Sequence, residues 1–136
     1  MTNLRHLLID LPGNTDARGK LAFAQQGDQI PFPVRRIFML YAIPEASRRG
    51  GHAHRAQHQL LIMTGGACTV TVSDGVSEDE IRLDRADRAL YVPPLRWIEL
   101  GDFIAGSVCV VLASGLYDEG DYIRDVAEFH RLVEWR

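Results

Sequence analysis

At 136 residues the chain is the size of one domain, and a hydrophobic content of 46% is that of a globular core, which excludes a disordered polypeptide. A formal charge of −3 and a pI of about 5.9 leave no basic footprint for nucleic acid. No apolar run approaches the roughly 20 residues of a bilayer span, and Met1-Thr2-Asn3-Leu4-Arg5-His6 lacks the apolar core of a secretory signal, so the expected location is the cytoplasm, with no membrane partner. Along the chain, short β-branched or alternating runs recur between turn signals about every ten residues, the pattern of an antiparallel sandwich or barrel. Strands are predicted at Leu7 to Leu11, closed by Pro12-Gly13-Asn14; at Lys20 to Ala24; at Arg35 to Tyr41, entered through Pro31 and Pro33; and at His52 to Met63. Gly65-Gly66 turns the chain into Ala67 to Ser73, and Asp74-Gly75 signals a hairpin. Glu80 to Leu83, Ala89 to Val92, Trp97 to Leu100 and Val108 to Ala113 complete the strands. From Asp121 to Trp135 the apolar residues recur near helical spacing, which predicts one C-terminal helix. The fold class is therefore all-β, a jelly-roll sandwich with one appended α-helix, and residues 1–136 read as a single domain. Cys68 and Cys109 lie in apolar strand runs without a Cys-x-x-Cys pattern and read as buried thiols.

The run Arg49-Gly50-Gly51-His52-Ala53-His54, with His58 four residues later, concentrates three of the five histidines. On one extended strand His52, His54 and His58 share parity and are expected to point to one face. Aligned imidazoles serve as metal ligands or as acid–base groups. For the metal reading, the spacing resembles the first motif of the cupin superfamily, with His58 where a ligand glutamate stands. The second motif, read from Asp87 to Asp102, places Ile98 where a further histidine is expected, and isoleucine binds no metal. The acid–base reading needs fewer groups: a buried histidine with a pKa near neutrality can remove a proton next to a carbonyl, and His52 and His54 side by side can divide the base and acid roles or one can orient the other. His6 and His130 read as surface residues.

Further motifs sharpen the resemblance. Asp16-x-Arg18-Gly19, Ile30-Pro31-Phe32, Arg36, Leu90-Tyr91-Val92, Pro94, Trp97, Val111-Leu112-Ala113-Ser114 and the tail Tyr117-Asp118-Glu119-x-Asp121-Tyr122-Ile123-Arg124 resemble, with the histidine strand, the sugar 3,4-ketoisomerases. These are small cupins acting on dTDP-4-keto-6-deoxyglucose. The tail is the most specific marker, since a generic cupin has no reason to carry it. The resemblance implies a reaction without metal or cofactor: a histidine takes the C3 proton of the 4-keto sugar, and the enediol is protonated at C4. It implies His52 and His54 as the base and its catalytic partner, with the order open. It implies a homodimer with exchanged N-terminal strands, and the short apolar Leu7 to Leu11 segment before Pro12-Gly13-Asn14 suits such an exchange. Arg18, Arg36 and Arg49 are candidates for the pyrophosphate of a dTDP-linked keto sugar, and Tyr91 and Trp97 for stacking on thymine or sugar.

The chain departs from the family at Phe38, where a tyrosine hydroxyl is usual and where Tyr41, Tyr91 or a water is the expected substitute; at Ile98; and at His58. Two further readings follow. One is a nucleotide-sugar-binding cupin without turnover, favoured by Phe38. The other is a metal-dependent cupin enzyme using His52, His54 and His58.

Overall fold

A computed structural model describes residues 4–134. After a 3-10 turn at Leu4–Leu7, the strands are β1 (Leu8–Asp10), β2 (Gly13–Asp16), β3 (Gly19–Ala22), β4 (Arg36–Leu40), β5 (Arg49–His54), β6 (Gln59–Gly65), β7 (Cys68–Ser73), β8 (Glu78–Leu83), β9 (Arg88–Val92), β10 (Trp97–Gly101) and β11 (Val108–Ala113). A second 3-10 turn at Glu119–Asp121 leads into the short β12 (Tyr122–Ile123) and the helix α1 (Val126–Glu134). One five-stranded sheet has the order β1-β9-β6-β11-β4 and the other β12-β5-β10-β7-β8, with β2 and β3 forming a separate hairpin. All pairs of these strands are antiparallel. The architecture is the expected sandwich with one C-terminal helix.

The period of two along each strand decides which residues meet between the sheets. In β7, Cys68, Val70 and Val72 are buried while Thr69, Thr71 and Ser73 are only partly so. Leu61 and Met63 of β6, Leu90 and Val92 of β9, Ile98 and Leu100 of β10, and Cys109 and Val111 of β11 join them in one apolar core. Each sheet also buries part of its outer face. Leu60 and Ala89 lie under Ile30 and Phe32 on the first sheet, and Ala53 and Ile123 lie under Phe129 of α1 on the second. Both cysteines are free and fully buried, and burial pushes their thiols up, to about 11 for Cys68 and about 12 for Cys109. No helix among the described residues is long and apolar enough to cross a membrane.

Four expectations change. The predicted strand from His52 to Met63 is two strands in different sheets, because the chain crosses the sandwich at Arg55 to His58. Three N–H groups of the crossing bond to one residue: the Arg55 N–H donates to the Asp121 carbonyl, and the Ala56 and Gln57 N–H groups donate to its carboxylate, while the His58 N–H donates to Ser114 Oγ. The helix begins at Val126 rather than Asp121, with Asp125 Oδ1 accepting from the Ala127 N–H in N-cap fashion. Trp135 lies outside the described residues. Gly13 to Asp16, read partly as a turn, is a strand of an exposed hairpin. The first strand is shorter than predicted, and Leu8–Asp10 pairs with Leu90, Ala89 and Arg88 of its own chain, so in this chain the segment occupies its own sheet edge.

Phe129 is fully buried, with its ring 5.7 Å from that of Trp97. Phe129→Ala is expected to cost about 3–5 kcal/mol by opening a cavity between α1 and the second sheet. Urea denaturation measures it, and a loss below about 1 kcal/mol would show that α1 contributes little to the core.

Candidate active site

The histidine strand reaches the interior through a glycine pair. Gly50 and Gly51 have φ of +83° and +75°, and a Cβ on Gly50 would stand 2.8 Å from the Ile98 carbonyl oxygen. Only glycine accepts this left-handed backbone and close approach without strain. The register between β5 and β10 shifts here, between Ile98 and Glu99. Beyond the irregularity, alternation sends Ala53 outward beneath α1 and turns His52 and His54 inward. Their rings meet edge to face at 5.0 Å, and Tyr122, paired with His54 across β12, packs 4.9 Å from His52 and 4.4 Å from His54.

The two histidines differ in what surrounds them. His54 is buried with both nitrogens engaged. Nδ1 lies 2.9 Å from Asp121 Oδ2, and Nε2 lies 3.2 Å from Gln59 Nε2. Burial lowers the His54 pKa, with Asp121 opposing. His52 instead lines a cavity of about 370 Å³ and leaves its buried Nδ1 without a hydrogen-bond partner. Burial pushes His52 down to about 4, and the neighbouring His54 adds to the shift. The Gly50 carbonyl pulls the other way. At neutral pH His52 is thus an uncharged imidazole on the cavity wall, free to accept a proton, with a pKa well below the near-neutral value that is expected from sequence and at which a general base is most effective.

The cavity is apolar on the walls and basic at its edge. Phe38, Leu61, Ile98 and Val111 line it with Gln59 and Tyr122, and Arg48, Arg49 and Arg124 complete it. Arg124 stands 4.3 Å over the Tyr122 ring and forms a two-point pair with Glu119, which also accepts from the Tyr117 hydroxyl at 2.7 Å. That arginine beside it holds the Glu119 carboxyl down at about 2.

Of the residues singled out from sequence, the cavity brings together His52, Arg49, Phe38 and Ile98, with His54 directly behind. Arg36 sits at the end of β4 on the same face as Phe38, its guanidinium 5.2 Å from that ring and bonded to Gln57. The other residues expected from sequence lie away from this cavity. His58 does not share the face of His52 and His54. After the crossing it points to the outer side of the first sheet, where Nδ1 lies 2.6 Å from the Tyr91 hydroxyl and the ring packs near Phe32. Three histidines therefore do not converge, and among the described residues no cluster of His, Cys, Asp or Glu is arranged to hold a metal. Tyr91 faces outward with His58, and Trp97 faces outward onto Phe129; neither lines the cavity. Tyr41 is 68% exposed and also lies outside it. Arg18 is at the tip of the β2–β3 hairpin, its side chain 89% exposed and paired with Asp16.

The family described as FdtA (WxcM-like, C-terminal) matches residues 4–134. The chain belongs to this family. A TDP-4-oxo-6-deoxy-alpha-D-glucose-3,4-oxoisomerase of Aneurinibacillus thermoaerophilus is 38% identical over 130 residues, covering 96% of this chain and 94% of that protein. Among solved structures, QdtA, a sugar 3,4-ketoisomerase of Thermoanaerobacterium thermosaccharolyticum in complex with TDP, is 33% identical with a TM-score of 0.90, covering 95% of this chain and 94% of its own. A 3,4-ketoisomerase of Helicobacter canadensis is 35% identical with a TM-score of 0.88, covering 93% and 96% respectively.

In this FdtA-family chain the sequence reading overlooked Gln59, Asp121, Tyr122, Arg124 and Arg48 as site residues. Asp121, Tyr122 and Arg124 belong to the tail whose resemblance was already evident, and its specificity was the available signal. Gln59 shares parity with Leu61 and Met63 on one strand, which places it inward once the strand's start is known.

The depressed His52 pKa has a testable sign. Below its ordinary value of 6.5 an unfolded chain takes up a proton that the folded one refuses until about pH 4. Stability is therefore expected to decline as pH falls from 6.5 toward 4, and base-dependent activity to stay flat from neutral pH down to about 5, falling only near pH 4. NMR titration of the His52 ring checks the midpoint directly; a value above 6 would refute this assignment.

Proposed function

We infer that this protein is a nucleotide-sugar 3,4-ketoisomerase, moving the keto group of a dTDP-4-keto-6-deoxyhexose from C4 to C3 in deoxysugar biosynthesis. The observation that carries the reading is His52: a neutral imidazole in a cavity of about 370 Å³, in a chain whose 38% identical relative is named for this reaction. The volume is within the range of small-molecule sites. TDP bound to a 33% identical structure supports a TDP-linked ligand here.

The mechanism follows from the placement of groups. His52 is the general base. It takes the C3 proton, the C3–H electron pair becomes a C3=C4 bond, and the carbonyl pair moves onto O4. Collapse to product then moves a proton from O3 to O4, re-forms the carbonyl at C3 and delivers a proton to C4. His54 is the partner that packs against the base from behind, its own nitrogens already bonded. Arg49, joined by Arg48 and Arg124, is suited to the pyrophosphate, since guanidinium groups pair with phosphate oxygens. Arg36 supports the wall through Phe38. With His58 turned outward and Ile98 in the wall, the proposed chemistry runs on side-chain acid–base groups alone. Two free buried thiols suit a reducing compartment, in keeping with a cytoplasmic enzyme.

The enzyme is proposed to act as a homodimer with exchange of its N-terminal region. Support comes from the β2–β3 hairpin, which is exposed throughout and continues into the exposed apolar Phe23, and from Leu21 within it. Such an exchange would carry Arg18, which lies outside this chain's own cavity, onto a second subunit. The outward side chains of edge strand β4, Ile37 and Met39, are exposed as well and add apolar surface for association. Sedimentation at micromolar concentration is expected to give about twice the 15.3 kDa chain mass; a monomer removes the proposal and leaves Arg18 without a ligand.

Incubation with dTDP-4-keto-6-deoxyglucose, with NMR identification of the product, tests the main reading; the 3-keto isomer is expected. His52→Asn is expected to lower kcat at least about 10²-fold while dTDP still binds. Phe38 favours the second reading, a binding protein without turnover, because a phenylalanine in the cavity wall offers no proton. Tight dTDP binding with no product from the unaltered protein would select that reading.

A further inference from the structure

Three buried polar side chains form a line from the back of β5 to the cavity. Asp121, His54 and Gln59 are 8%, 4% and 3% exposed, and only Gln59 lines the cavity. Their protonation follows from what each group can donate. A carboxylate only accepts, so the 2.9 Å contact with Asp121 requires a proton on His54 Nδ1. Burial disfavours the imidazolium and lowers the His54 pKa, so the ring carries that one proton and Nε2 is a bare lone pair. The Gln59 group that can face a bare lone pair at 3.2 Å is its NH2, not its carbonyl oxygen. Asp121 therefore sets the direction of the Gln59 amide through His54. One amide hydrogen is spent on the imidazole, and Oε1 and the second hydrogen remain for a ligand.

We propose that Gln59 holds the sugar's hydroxy-ketone, its free N–H on the C4 ketone oxygen and its Oε1 on the C3 hydroxyl, and that Asp121 and His54 are positioning residues that keep the amide in this sense. The assignment rests on the ketoisomerase reading above. It has a reason in the reaction. As the C3–H electron pair becomes the C3=C4 bond, the carbonyl pair moves onto O4, and a preset N–H there strengthens with the developing charge. An amide turned the other way would set its oxygen against the oxyanion. Asp121 cannot turn away from His54 without leaving the Ala56 and Gln57 N–H groups of the crossing unpaired, so the orientation is tied to the backbone.

Gln59→Leu is expected to lower kcat about 10²–10³-fold, the cost of one oxyanion donor, with dTDP affinity changed less than about 2-fold. Asp121→Asn alone is expected to lower kcat about 10–100-fold, as loss of an orienting partner does. In the Gln59→Leu background the same change is expected to alter kcat by less than about 2-fold, since the group it orients is gone. Independent multiplication of the two effects, or full activity of Gln59→Leu, would overturn the proposal. Should the Asp121 variant fail to fold, two measurements on the unaltered protein decide. Long-range ¹H–¹⁵N NMR is expected to find His54 as the Nδ1–H tautomer at pH 7. The Gln59 side-chain amide resonance is expected to move with a dTDP-6-deoxyhexose but not with dTDP alone. An Nε2–H tautomer, an imidazolium, or an amide indifferent to the sugar refutes it. Absence of isomerisation by the unaltered protein would refute the ketoisomerase reading instead, and the tautomer would still be read independently.

Discussion

The carboxylate of Asp121 carries two demands at once. It accepts from the Ala56 and Gln57 backbone N–H groups, where the chain leaves one sheet for the other, and from His54 Nδ1. Those backbone donors are at a point where no strand partner exists, and a buried N–H left unpaired costs about 1–3 kcal/mol. The same residue reaches this position only because Tyr122 and Ile123 pair with His54 and Ala53, placing Asp121 at the lip of β5. The crossing between the sheets, the short last strand and the orientation of a buried histidine are thus one construction. A carboxylate in an apolar surround needs that many donors to stay there.

The interior chemistry is neutral and the cationic groups stand at its edge. His52 and His54 are both held in the uncharged form mainly by desolvation. Arg48, Arg49 and Arg124 contribute charge to the outer part of the same cavity, and Arg124 is kept in place by Glu119 and the Tyr122 ring. A dianionic pyrophosphate and an uncharged sugar ring have complementary needs, so one elongated ligand can satisfy both regions. Phe38 adds an aromatic ring to the apolar wall of the cavity that His52 also lines, and it has no hydroxyl to give or take a proton.

Most of the fold was legible because strand alternation and turn chemistry are local signals. Val108 to Ala113 was read with its observed ends, and Cys68, Val70 and Val72 showed their inward face directly. The histidine strand misled because parity was counted across a place where the chain stops being a strand. Arg55-Ala56-Gln57 contains neither glycine nor proline, and what ends β5 there is a carboxylate more than sixty residues away, which no window of sequence contains. His58 was thereby placed with His52, and Gln59, the residue that does face inward, was passed over. Trp97 and Tyr91 lie outside the cavity for a simpler reason. Ile98 stands in the cavity wall, and its neighbour on a strand must face away from it; Leu90 and Val92 impose the same on Tyr91. Asp121, Tyr122 and Arg124 were visible as a motif, but their service to the site depends on the tail folding back along β5, which is a tertiary fact.

Ala53 gives the triplet His52-Ala53-His54 a meaning in thickness as well as in chemistry. With no exposed surface and Ile123 beside it on β12, it is the contact between the histidine strand and Phe129 of the helix. Its single methyl group sets how deeply the helix can settle, and so how far the strand is pressed toward the opposite sheet. A β-branched residue there would act as a shim, lifting the helix or pushing both imidazoles forward by a fraction of an ångström into a space that must also hold a sugar ring. The small middle residue is a gauge of clearance, and a sequence pattern of the form histidine, small residue, histidine reports a tolerance in packing that the two imidazoles alone do not.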